Sequence, residues 1–86
     1  MSNVTIYSTR FCPYCVRARM LLEQKGVKFN EIRIDSEPHL RSEMVQRAGR
    51  TSVPQIFIND EHIGGCDDLY ALESRGKLDE KLGIMA

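Results

Sequence analysis

Two cysteines three residues apart, Cys12-Pro13-Tyr14-Cys15, stand directly behind a β-branched run and directly ahead of a helical pattern. Val4-Thr5-Ile6-Tyr7-Ser8 carries the β-branched and aromatic residues that suit a strand. Pro13 suits the first helical position, where a missing N–H goes unused in any case. A broad apolar stripe of Val16, Ala18, Met20, Leu21 and Leu22 follows it, and Gly26 is a natural stop. The cysteine pair therefore falls on a strand-to-helix junction with Cys12 as N-cap. A chain that begins this way is steered towards strands and helices alternating around one sheet.

The remaining pattern continues that alternation. Ile32-Arg33-Ile34 alternates as a strand does, with Phe29 out of phase at its start. Ser36 is expected to cap a second helix with Pro38 in its first turn. Leu40, Met44, Val45 and Ala48 lie along that helix's apolar face, and Gly49 closes it. Gln55-Ile56-Phe57-Ile58 predicts a strand covered on both faces, which Asn59-Asp60-Glu61 turns into a short partner at His62-Ile63. Gly64-Gly65 leads to a third helix with Asp67 and Asp68 in its first turn, ending near Gly76. Leu78 and Leu82 predict one last helical piece. The order is βαβαββα, an α/β chain with a mixed sheet and helices on both faces. No repeat or linker divides the 86 residues, so a single domain over 1–86 is expected.

Twelve Lys and Arg balance twelve Asp and Glu, so no long-range field points to nucleic acid or an anionic membrane. No apolar run approaches the roughly 18 residues that span a bilayer. Met1-Ser2-Asn3-Val4 passes into the first strand without the basic and apolar regions of a secretory signal, so a cytoplasmic location is expected. Three cysteines is an odd number, which argues against a secreted disulfide framework and leaves metal binding or redox chemistry. A structural zinc normally needs four N or S ligands. Cys66, His39 and His62 could add to the pair, but they do not recur at a second metal-type spacing, and Pro13 at a helix start fits redox use better. At an N-cap, first-turn N–H groups and the helix dipole favour a thiolate on Cys12. The dipole contributes about 0.3–1 kcal/mol when exposed and up to about 2 when partly buried. Against about 1.4 kcal/mol per pKa unit, it moves the thiol by roughly one unit, and further lowering needs direct hydrogen bonds. Cys15, one turn further in, keeps its proton longer and reads as the resolving thiol.

Four blocks together resemble the dithiol glutaredoxins, from Val4 nearly to the end of the chain: Cys12-Pro13-Tyr14-Cys15, Thr51-Ser52-Val53-Pro54, Ile56-Phe57-Ile58 and Gly64-Gly65-Cys66-Asp67-Asp68. The resemblance implies a thioredoxin-like fold with a four-stranded mixed sheet. It implies that Pro54 is cis and lies against the cysteines, with the Ser52-Val53 segment beside it and the Val53 backbone free to pair with the cysteine of glutathione. It further implies that the N–H groups of Cys66 and Asp67, following Gly65, seat the γ-glutamyl carboxylate, with Asp67 facing the ammonium group and Tyr14 flanking the tripeptide. At the glycyl end the family often has a basic residue three positions before the first active cysteine. Here Thr9 stands there, a departure from that pattern, with Arg10 beside it either as a substitute or as a solvated surface arginine, and Arg41 matches another position used for that carboxylate. Arg47, Arg50, His39 and His62 read as solvated, and the Cys66 thiol as a small buried hydrophobe.

The activity so implied is glutathione-dependent thiol–disulfide exchange, with glutathione as co-substrate and neither a metal nor a tightly bound cofactor. Implied partners are glutathione and glutathionylated or disulfide-containing proteins, ribonucleotide reductase or similar enzymes among them, for a monomer that binds neither nucleic acid nor membrane. Two alternatives stand beside this reading. One is an electron donor reduced by thioredoxin reductase, against which the Gly-Gly-Cys-Asp block weighs. The other is an iron–sulfur carrier using Cys12 and external glutathione as ligands, against which Pro13 and Cys15 weigh.

Overall fold

A computed structural model describes residues 3–84; the first two and last two positions of the expected domain lie outside the described residues. The elements run β1 (Val4–Ser8), α1 (Pro13–Gln24), β2 (Asn30–Arg33), α2 (Pro38–Ala48), β3 (Gln55–Ile58), β4 (Glu61–Gly64), α3 (Cys66–Ser74) and α4 (Leu78–Leu82). The sheet order is β2-β1-β3-β4, with β1 parallel to β2 and antiparallel to β3, and β3 antiparallel to β4.

Strand periodicity divides the core in two, because successive side chains point to opposite faces. Val4, Ile6, Ile56 and Ile58 face one side, where Ala18, Leu21 and Leu22 of α1, Cys66 and Leu69 of α3, and Leu78 and Leu82 of α4 cover them. Tyr7 and Phe57 face the other side, against Met44 of α2 and Ile34, with Leu40, Val45 and Ala48 packed around them. Central strands buried on both faces, with helices on each, make the thioredoxin-like fold that the resemblance implies.

Several local expectations are corrected. Val16 and Met20 are 42% and 52% exposed, so the apolar stripe of α1 is narrower than expected. Ser36 does not cap α2. Glu37 is the N-cap and makes no side-chain cap bond, while Ser36 Oγ donates 2.7 Å to the Arg33 carbonyl and closes the turn before it. Glu61 belongs to β4 rather than to the turn. Asn59 and Asp60 both have positive φ, as a two-residue hairpin turn with right-handed strand twist requires. Gly49 closes α2 with φ +70°, as expected from its position.

Strand register brings three chain segments to one end of the sheet. Tyr7 is opposite Gln55 and Ile56 is opposite Gly64. The exit of β1, the approach to β3 and the exit of β4 therefore meet, and α1 and α3 both begin there.

Candidate active site

The loop after β1 delivers Cys12 to the start of α1. Cys12 has extended backbone angles, its carbonyl accepts from Val16 N at 3.1 Å, and its Sγ accepts from Cys15 N at 3.1 Å. That last bond is the direct donor the helix terminus was expected to supply, aimed at sulfur rather than at water. The two sulfurs are joined as a disulfide, with Cα atoms 5.1 Å apart. Cys12 keeps 8% of its surface and Cys15 none, so the pair is closed off on the Cys15 side and open only at Cys12. Such a pair can be reduced and re-formed by thiol–disulfide exchange.

The loop before β3 supplies the opposite wall. The Val53–Pro54 peptide bond is cis, and Cys12 Sγ lies 3.9 Å from the Val53 carbonyl oxygen. Beside this contact runs a groove of about 180 Å³ lined by Tyr14, Ser52, Val53, Pro54, Gly65, Cys66, Asp67 and Asp68. Seven of the expected site residues thus line one surface next to Cys12. Its walls are close, since a Cβ on Gly65 would stand 3.4 Å from the Pro54 carbonyl oxygen.

Thr9, Arg10 and Arg41 do not line the groove. The Arg10 backbone N–H donates to Asp35 Oδ2 at 2.9 Å, and its guanidinium stands 5.4 Å over the ring of Phe11, a side chain 87% exposed. Arg41 Nη1 donates to the Thr51 carbonyl at 3.4 Å, which ties α2 to the loop ahead of the cis proline.

The start of α3 is built around a residue whose place in the site the sequence reading missed. Asp68 Oδ2 accepts from Gly65 N at 2.9 Å and from Arg50 Nη1 at 3.0 Å. Gly64 has φ +119°, a conformation side chains rarely adopt, and a Cβ there would run into the Asp68 side chain. An acidic residue at the third helical position is the available signal for such a cap. The Gly65 N–H first, then Arg50, holds the Asp68 carboxyl below its ordinary value. Arg50 is therefore exposed, as expected, but also paired. Arg47 is exposed too, yet it donates 2.8 Å to the buried Tyr7 hydroxyl and stacks 4.1 Å over Phe57. His39 is exposed, but His62 is half-buried against Phe57 with its Nε2 2.7 Å from Gln55 Oε1. Cys66 is buried, and burial pushes its thiol up, which disfavours the thiolate. Among the described residues no three His, Cys, Asp or Glu side chains gather as metal ligands, and no helix is long and apolar enough to cross a membrane.

Known proteins resemble this chain in sequence and in fold. The sequence profile of the glutaredoxin family matches residues 4–63. Glutaredoxin 3 of Escherichia coli K12 is 60% identical over 82 residues, which cover 95% of this chain and 99% of that one. A glutaredoxin of Pseudomonas aeruginosa is 57% identical over 82 residues, covering 95% and 98%. The crystal structure of a buckwheat glutaredoxin–glutathione complex superposes with a TM-score of 0.88 at 32% identity, over 99% of this chain and 83% of that one.

Proposed function

The chain belongs to the glutaredoxin family and is a thiol–disulfide oxidoreductase, and on that footing we propose that glutathione is its co-substrate and Cys12 its attacking thiol. The observation that carries this is the pairing of Cys12, the less buried cysteine and a helix N-cap, with a groove whose far wall begins a second helix. Extended peptide suits the Val53 backbone, and a carboxylate suits the N–H groups that open α3. The binding set comprises Tyr14, Ser52, Val53, Pro54, Gly65, Cys66 and Asp67. Thr9, Arg10 and Arg41 stand further out, towards the glycyl end. The chain acts as one cytoplasmic domain, residues 1–86, and as a monomer. Its substrates are glutathionylated and disulfide-containing proteins.

In the reduced enzyme the Cys12 thiolate attacks the glutathione sulfur of a protein–glutathione disulfide. The Cys12–glutathione bond forms, the protein–glutathione bond breaks, and the protein leaves as a thiolate that takes up a proton. A second glutathione, as thiolate, attacks the bound glutathione sulfur and releases glutathione disulfide and the Cys12 thiolate. With a protein disulfide, Cys12 forms the mixed disulfide and Cys15 resolves it. This leaves the Cys12–Cys15 bond, which two glutathiones then reduce. The Cys15 N–H directed at Cys12 Sγ stabilises that sulfur as thiolate and as leaving group.

The test uses a small glutathione mixed disulfide and a protein disulfide, with glutathione and glutathione reductase as the electron source. Cys12→Ser is expected to abolish both reactions, whereas Cys15→Ser keeps the first and loses the second. Equal loss in both variants would sink this division of labour. Turnover with thioredoxin reductase but not with glutathione would replace the co-substrate.

A further inference from the structure

Gln55 is fully buried at the first position of β3, immediately behind the groove wall. A buried amide is costly unless its groups are paired, and a leucine would fill the same space without that demand. Its Nε2 lies 3.0 Å from the Ser52 carbonyl oxygen and 3.3 Å from Ser52 Oγ. Its Oε1 lies 2.7 Å from His62 Nε2 on the neighbouring strand.

These contacts order one another. A backbone carbonyl only accepts, so the NH₂ of Gln55 faces Ser52 and its carbonyl oxygen faces His62. His62 Nε2 must then be the donor, which specifies the Nε2–H tautomer of the neutral ring. Burial first, and then the charge of Arg50, pushes His62 below its ordinary value, with Asp68 opposing. Both effects favour the neutral ring. Among the described residues, the other hydrogen bond to this part of the loop is that from Arg41 to the Thr51 carbonyl, and Cys12 Sγ touches Val53. Among the described residues Gln55 is the hydrogen-bond partner of Ser52, a residue exposed to water.

We propose that Gln55 is a positioning residue for glutathione exchange: oriented by His62, its amide holds the Ser52 carbonyl and hydroxyl, and so sets the Ser52–Val53–Pro54 wall on which the tripeptide lies. The role rests on the glutathione reading of the groove. It assigns Gln55 no contact with substrate, so its loss should weaken binding more than chemistry.

The experiment combines steady-state kinetics on a small glutathione mixed disulfide with amide hydrogen exchange at Ser52 and Val53 and nitrogen NMR of the His62 ring. Gln55→Leu should raise KM roughly five- to tenfold with kcat held within about twofold, and should speed exchange at Val53. Gln55→Glu, which accepts from His62 but cannot donate to Ser52, should do the same. His62→Leu should shift KM in that direction, while His62→Gln, which can donate to Gln55, should restore it. The wild-type ring should be protonated on Nε2. An unmoved KM and unmoved Val53 exchange in a folded Gln55→Leu would overturn the role, as would a fall in kcat and stability without a KM change. If Gln55→Leu does not fold, Gln55→Glu and the His62 pair decide. Should the wild type fail to turn over glutathione substrates, the groove reading fails, while exchange at Val53 and the His62 tautomer still decide whether Gln55 clamps the loop.

Discussion

Asp68 does two jobs with one oxygen, capping the Gly65 N–H and pairing with Arg50. Its folded pKa lies below the ordinary 3.8, so the folded state binds fewer protons than the unfolded one around that pH. Its stabilising contribution is thus complete well above pH 4 and is lost as pH falls through the depressed value. Asp68→Asn should therefore lower the urea midpoint at pH 7 and narrow the gap to wild type as the pH approaches about 2. A gap that stays constant with pH would show that the carboxylate's charge is not what Gly65 and Arg50 stabilise. The side chain is 45% exposed, so solvent screens the ion pair and the backbone cap carries most of the effect. At this scale the cysteine pair was legible along the chain, because a helix start acts on its own first residues. Arg47 and Arg50 were not. Their partners, Tyr7 and Asp68, lie 40 and 18 residues away, and nothing local marks them.

Helix α1 shows how an element's boundaries can be local while its buried face is not. Pro13 begins it and Gly26, with φ +73°, follows its end, both as the sequence predicts. At about 100° per residue, however, Cys15, Ala18, Leu21 and Leu22 fall on one side and Val16 and Met20 on the other. The apolar set is wide enough to suit either side, and packing against the sheet and α3 chose the first. In α2 the reverse holds: the face was correctly read, but the cap moved from Ser36 to Glu37, since Ser36 bonds back to Arg33 instead. Gly49 offers a clean test of the α2 terminus, because its φ is +70° and a Cβ would meet nothing within 4 Å. Gly49→Ala should cost about 1–2 kcal/mol by thermal or urea unfolding, from backbone strain alone. Gly49→Asn should cost less, since asparagine tolerates that region. Equal costs would point instead to a lost contact.

The whole molecule is one sheet with a core on each face, which makes its stability divisible. A chain of 86 residues has roughly 4–13 kcal/mol of stability. Leu22→Ala on the α1 face and Met44→Ala on the α2 face should each cost about 2–5 kcal/mol. Because the two residues belong to separate clusters, the double variant should show additive losses to within about 0.5 kcal/mol, and be close to unfolded. Strong coupling in a double-mutant cycle would mean that the central strands transmit strain between the faces. The element order, the strand–helix junction under Cys12 and the last short helix were all readable from the chain, since periodicity, caps and turn residues act over a few positions. The sequence by itself therefore determined where the reactive pair would stand and what would surround it in chain order. Only the tertiary structure decided that Cys15 is fully buried, which arginines are paired, and that a buried Gln55 links His62 to the groove wall. Those outcomes depend on the register of strands and helices far apart in the chain, and contact energies across that register are written in no local pattern.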